Sequence, residues 1–261
     1  MPTVPWKTLL LELVVVFIGV FLAFEFNNFS ENRKVKSEKE KVMTSLKKEL
    51  DVIGLSFGNM GAYQKSKAQE WDSLLRNKQL GDFYDWRYIQ PQYNYAVLEY
   101  ALNTRDARIV SFELYEKLVK VYRELKKLEH AENLMTEWGG QYKILPLDVD
   151  TTSITYQNRA ADNRFAFYKF TRFANDRANI MSDLPKSARE ALELINSNFT
   201  SKLRFELEKE VLRILAGRMQ LAEGDEAWQE MKRMASAHYA HISDSEWTAF
   251  RQELLAELEQ Q

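Results

Sequence analysis

Histidines are the first residues to weigh for chemistry, because imidazole exchanges a proton near neutral pH and is the commonest metal ligand. The chain has three, His130, His238 and His241. A helix would set His238 and His241 on one face, a ligand-like spacing if a carboxylate joined them. His238 also continues the line Trp228, Met231, Ala235, so a partly buried packing histidine is the better reading. No glutamate stands three residues ahead of any histidine, so the Glu-x-x-His pairs of di-iron bundles are missing. Glu206 and Glu210 lie one helical turn apart, as acid–base work would require. They alternate with Arg204, Lys209 and Arg213, which reads as a solvated, ion-paired face. Phe165, Phe167, Tyr168, Phe170 and Phe173 interleave with Arg164, Lys169 and Arg172, a pattern that can stack nucleic-acid bases. With a formal net charge of -2 no basic field surrounds them, and core packing or a subunit face is the reading adopted. The absence of cysteine removes disulfides and thiolate chemistry, and no phosphate loop, Ser-His-Asp set or dinucleotide fingerprint is present. The expectation is therefore a non-enzyme with no catalytic residues, no metal, no cofactor and no nucleic-acid partner.

The elements behind these residues are helical. Only 9 glycines and 5 prolines punctuate 261 residues, too few for a fold of many short strands. Val42, Leu46, Leu50, Ile53, Phe57 and Met60 recur at helical spacing, with Glu38, Lys39, Lys41, Lys47, Lys48 and Glu49 assigned to the opposite, solvated face. Gly54, Gly58 and Gly61 predict a kink or break, since each costs about 1 kcal/mol against alanine inside a helix. Residues 79–91 have no period and read as an ordered loop, followed by a short helix from Tyr93 to Leu102. Ser111 is placed as the N-cap of a helix with the stripe Leu114, Leu118, Val121, Leu125, Leu128, ending by Gly139-Gly140. After a linker at 141–155, helices are expected from Gln157 to Met181, broken by Leu184-Pro185, from Lys186 to Glu223, from Asp225 to Tyr239, and to Glu257 behind a capping box Ser243 to Glu246.

The longest apolar run is Trp6 to Phe29. A hydrocarbon core of about 30 Å needs roughly 20 helical residues, and this stretch has no polar face, an aromatic residue at each edge and abruptly polar flanks. It reads as a transmembrane helix that continues without a break into the amphipathic one. Glu12 and Glu25 are its acidic residues. Glu12 sits deep enough that a lipid-facing charge is costly, so Glu12, Glu25 and Gly19 are the candidates for an intramembrane assembly contact, with Val42, Leu46, Leu50 and Ile53 as the juxtamembrane stripe. The fold class expected is all-α, a transmembrane helix leading into a long amphipathic helix and an extramembrane helical bundle. The divisions are 1–29 anchor, 30–140 first helical subdomain, 141–155 linker and 156–261 second helical subdomain.

The stretch from Glu12 through Gly19, Asn27, Asn28, Phe29, Glu31 and Arg33 to Lys34 resembles the opening of a group of uncharacterised bacterial single-span proteins that leave the membrane as N-N-W-x-E-x-R. Phe29 stands where the group usually has tryptophan. Tyr100-Ala-Leu-Asn103-Thr104, through Leu114 and Tyr122, is similar to the group's second block. The resemblance implies a bacterial inner-membrane protein with a helical extramembrane domain. Sidedness is pulled two ways: Arg33, Lys34, Lys36, Lys39, Lys41, Lys47 and Lys48 against Lys7 alone favour a cytoplasmic domain by the positive-inside rule, whereas the group's usual topology and the lack of cysteine favour the periplasm. The periplasm is the adopted side, with the cytoplasm left open. The function expected is a membrane-anchored interaction or scaffold protein, a homo-oligomer or a membrane-complex subunit. The alternative is a single-span sensor binding a small ligand near the aromatics from Phe83 to Tyr95.

Overall fold

A computed structural model of the chain describes residues 6–83, 94–145, 150–218 and 225–258; within its helices, the side chains of residues 6–15, 59, 218, 225 and 258 are not among those described. The helices are α1 (Trp6–Arg76), α2 (Tyr95–Asn103), α3 (Phe112–Gly139), α4 (Ile154–Asn196), α5 (Ser201–Arg218), α6 (Asp225–Ser236) and α7 (Asp244–Leu258). The fold is all-α, with no strand among the described residues. At 1.5 Å per residue α1 is about 105 Å long, and it is the axis on which the rest assembles.

The stripe Val42, Leu46, Leu50, Ile53, Phe57 enters one continuous core with Leu98 of α2, Leu118, Val121 and Leu125 of α3, and Leu184, Ala188, Leu192 and Ile195 of α4. That core joins α3 and α4 across residues 141–155. The segment after α3 is tied down in part, because the buried Asn163 of α4 accepts from the Lys143 backbone N–H at 2.8 Å and donates to its carbonyl at 2.7 Å. Two further clusters lie along α1. Trp71 packs edge-on against Phe170, beside Phe83, Phe167 and Met135, and Leu55 joins Val211, Leu212, Trp228, Met231, Trp247 and Phe250 of α5, α6 and α7. The aromatic run of α4 therefore supplies core residues, Phe167 and Phe170, and surface residues, Phe165 and Tyr168.

The caps follow the sequence. Ser111 Oγ accepts from the Leu114 N–H, and α7 opens on a reciprocal box in which the Ser243 N–H donates to Glu246 and the Glu246 N–H donates back to Ser243 Oγ. Three expected boundaries do not hold. The glycines do not break α1, which runs through all three; Gly54 and Gly61 are instead places of close approach. Leu184-Pro185 does not break α4 either, since Pro185 lies inside it. Pro185 has no N–H to give the Met181 carbonyl, and a Cβ on Gly61 of α1 would stand 3.1 Å from that same carbonyl oxygen, so α1 seats its smallest residue where α4 lacks a hydrogen bond. The break falls later, between α4 and α5, where one helix from Lys186 to Glu223 was expected. There Ser197 Oγ donates to the Leu194 carbonyl, Asn198 Nδ2 donates to the Leu194 and Ile195 carbonyls, and Thr200 Oγ1 accepts from the Leu203 N–H. Short polar side chains bonding locally to the backbone end one helix and cap the next.

Among the described residues no helix is long and apolar enough to cross a membrane. The first ten residues of α1, Glu12 among them, lie outside the described side chains. From Val16 to Phe29 the apolar residues Val16, Phe17, Ile18, Val20, Phe21, Leu22, Phe24, Phe26 and Phe29 are each more than half exposed, beyond the end of the bundle.

Candidate functional site: a buried charge network

Lys47 and Asp51 stand one turn apart on α1, on a face other than the Leu46–Leu50 stripe, and this second face is also covered. Against the sequence expectation of a solvated side chain, Lys47 is 1% exposed, because α5 and the turn after α6 close over it. Its ammonium donates to Asp51 Oδ2 and to Glu208 Oε1 of α5, both at 2.9 Å. The second oxygen of each carboxylate is taken by a histidine: His238 Nε2 lies 3.0 Å from Asp51 Oδ1 and His241 Nε2 lies 2.8 Å from Glu208 Oε2. An ionised carboxylate only accepts, so both imidazoles carry a proton on Nε2. Arg204 adds an ion pair to Glu208 at 3.6 Å.

Two cations face two carboxylates, so the network balances when both histidines are neutral. Between these two histidines lies Tyr239, 2% exposed, its ring edge-on to His238 at 4.8 Å and to His241 at 6.2 Å. Its hydroxyl faces the Asp51 carboxylate but reaches no partner at full hydrogen-bonding geometry among the described residues. Burial, first, and then the charges of Asp51 and Glu208 push its phenol well above the usual tyrosine range. Gly54, one turn beyond Asp51, is what admits the ring: a Cβ there would stand 2.3 Å from His238 Cε1 and 2.8 Å from Nδ1.

Taken as chemistry, the arrangement holds protons and charges in place. Asp51 and Glu208 are enclosed and every oxygen is engaged, so neither is presented to a substrate. Solvent reaches the network only at its edge, at His241, whose side chain is 39% exposed, and at Arg204. A buried pair of this kind contributes little net stability over a well-packed apolar replacement, but removing one partner costs about 3–5 kcal/mol. The network therefore fixes the register of α5 and α6 on α1. A second buried pair, Arg177 Nε of α4 to Glu132 Oε1 of α3 at 3.0 Å, does the same inside the bundle.

His238 is a mostly buried packing residue, as expected, and is paired with a carboxylate as well. Glu206 and Glu210 do form a solvated face, paired with Lys209 and Lys48. Sequence reasoning missed Glu208 between them, and missed Lys47 and Asp51. The one legible signal was Gly54, which follows Lys47 and Asp51 at i+7 and i+3 and marks a near neighbour. Val42, Leu46, Leu50 and Ile53 are covered inside the chain, and so present no stripe to a second copy. Glu25 is exposed, and nothing lies within 4 Å of a Cβ built on Gly19. Phe83 is packed among Phe167, Phe170 and Tyr142, apart from Tyr95, which stacks edge-on with Tyr122 and donates to Glu129; residues 84–93 between them lie outside the described residues. Among the described residues no group of three histidine or carboxylate side chains could hold a metal ion. Compared with known proteins, the chain matches no family model, no curated protein and no solved structure.

Proposed function

We propose that this chain is a membrane-anchored, non-catalytic interaction protein, a single-span bacterial inner-membrane component whose α1 carries a rigid helical domain and joins it to further copies or to another membrane subunit. One observation carries the reading. The same helix that buries Leu46 and Leu50 completely leaves the apolar residues from Val16 to Phe29 uncovered, and apolar surface of that extent needs a cover other than water. A bilayer supplies one at low cost, and the polar residues Asn27, Asn28, Ser30, Glu31 and Arg33 then fall at its boundary. The resemblance of this exit to the bacterial single-span group supports the same location. Gly19, with open space over its Cα, suits close approach of a second helix in lipid.

The test is made on the full chain. After expression in bacteria it is expected to stay with membranes through alkaline carbonate extraction, and in mild detergent to run larger than one chain by light scattering. Gly19→Leu and Glu12→Leu are expected to reduce that size without releasing the chain from the membrane. Recovery in the carbonate-soluble fraction would overturn the anchor. A strictly monomeric chain with no co-purifying subunit would overturn the assembly role. Paired phosphatase and fluorescent-protein fusions at the C-terminus then fix the side, activity without fluorescence meaning periplasm.

A further inference from the structure

A groove of about 690 Å³ runs along α1 where the uncovered apolar stretch ends, within the size range of small-ligand sites. Its floor changes character along the helix: Phe26 and Phe29, then Ser30, then Arg33 and Lys34, then Lys41, with Tyr100 of α2 as the far wall. Glu38, the acidic residue of the lining, is engaged, since Tyr100 donates to it at 2.8 Å. Arg33 lies over the Phe29 ring at 5.3 Å, and among the described residues none of Arg33, Lys34 and Lys41 has a carboxylate partner. Apolar rings, a hydroxyl and unpaired cations in that order match the acyl chain, glycerol and phosphate of one anionic phospholipid.

We infer that this groove binds the headgroup of an anionic phospholipid, with Arg33 and Lys34 on the phosphate and Phe26 and Phe29 along the start of the acyl chains. The inference rests on the membrane reading above. The spacing agrees with it: Arg33 lies four residues beyond Phe29, about 6 Å along the axis, and the polar layer of a leaflet is about 5–7 Å deep. Lys41 lies further out and strengthens the field that draws the lipid in. Lys36 and Lys39 lie between Lys34 and Lys41 along the helix but leave it roughly 110° and 170° from the middle of the groove face, at about 100° per residue. They separate a built site from general attraction of a basic helix to an acidic surface.

The experiment is native mass spectrometry of the detergent-solubilised full chain, titrated with phosphatidylglycerol or phosphatidylcholine, for the wild type, Arg33→Gln/Lys34→Gln and Lys36→Gln/Lys39→Gln. The wild type is expected to retain one phosphatidylglycerol in preference to phosphatidylcholine. Arg33→Gln/Lys34→Gln is expected to lose about tenfold or more in that retention, from the loss of two basic contacts near a lipid surface, and Lys36→Gln/Lys39→Gln to keep it. Equal retention of the two lipids, or equal loss in both double variants, would overturn the groove as a headgroup site while leaving the anchor intact. Displacement of the lipid by soluble glycerol phosphate at matched concentration would overturn a lipid as the occupant. A chain that needs no detergent and stays with the soluble fraction would instead bring down the membrane reading itself.

Discussion

At the scale of single residues, Gly54 and Tyr239 show how closely the charge network is fitted. Gly54 sits inside a helix, where alanine is worth about 1 kcal/mol more, yet an added methyl would meet His238 at 2.3 Å. The imidazole is held between Asp51 and Tyr239 and cannot swing aside without giving up its carboxylate. Gly54→Ala is therefore expected to cost about 1–3 kcal/mol in urea unfolding, from a buried carboxylate oxygen left unsatisfied. In a His238→Ala background the same change is expected to become neutral or stabilising, and a cost that persists there would show that the clash lies elsewhere. Tyr239 has a different signature. Its folded pKa lies above the unfolded value of about 10, so the phenol favours the fold fully below pH 10, and that contribution is lost as pH rises through the folded value. Because its hydroxyl has at most a poorly aligned contact with Asp51, Tyr239→Phe is expected to change stability at pH 7 by less than about 1 kcal/mol. The loss of stability above pH 10 is expected to be shallower than in the wild type, which chemical denaturation across pH 8–11 reads directly.

At the scale of elements, helix length is decided by what surrounds each helix. α4 carries Pro185 through its interior, although a proline there costs about 3 kcal/mol against alanine. Leu184 and Ala188, both fully buried, hold the turn in the core, and the Gly61 side of α1 lies against the carbonyl that proline leaves unbonded. Restoring the N–H should recover part of that cost, so Pro185→Ala is expected to raise stability by about 1 kcal/mol or more in thermal or urea unfolding. A loss of stability would mean that the proline geometry itself seats Leu184. The continuity of α1 through Gly54, Gly58 and Gly61 has the same origin, because α4 on one side and α5, α6 and the turn after it on the other outweigh the propensity of three residues.

At the scale of the molecule, α1 serves two partners on two faces. One face is apolar and closes the bundle with α3 and α4; the other carries Lys47 and Asp51 and receives α5 and the turn after α6. The apolar contact between α1 and the α5–α7 cluster rests on Leu55 and the half-buried Val52, so the charge network is a principal tie between that cluster and the rest. Lys47→Met leaves Asp51 and Glu208 buried without their shared cation and is expected to cost about 3 kcal/mol or more. The loss is expected to be regional: hydrogen exchange should speed up in α5, α6 and α7 while the Leu118, Val121 and Leu125 core of α3 stays protected, as for a unit that opens by itself. Uniform acceleration over the chain would show that the two parts unfold together.

The all-α fold, the bundle stripe of α1, the α3 helix with its Ser111 cap and the capping box at Ser243 were legible in the sequence, because helical periodicity and cap chemistry are local and repeat within a few residues. The uncovered run from Val16 to Phe29 was legible for the same reason, as composition along one stretch. The breaks were not. Pro185 and the α1 glycines are helix breakers locally, and only the packing of neighbouring helices overrides them. Nor was the site: Lys47 and Glu208 are 161 residues apart, and each lies close in sequence to a charged residue that does face solvent, Lys48 for one and Glu210 for the other. Whether a charged side chain is solvated or enclosed depends on which helix lands on its face, and no residue near it in sequence records that. The tertiary structure alone decided it, because burying a charge is affordable only where a partner from another helix arrives at hydrogen-bonding distance.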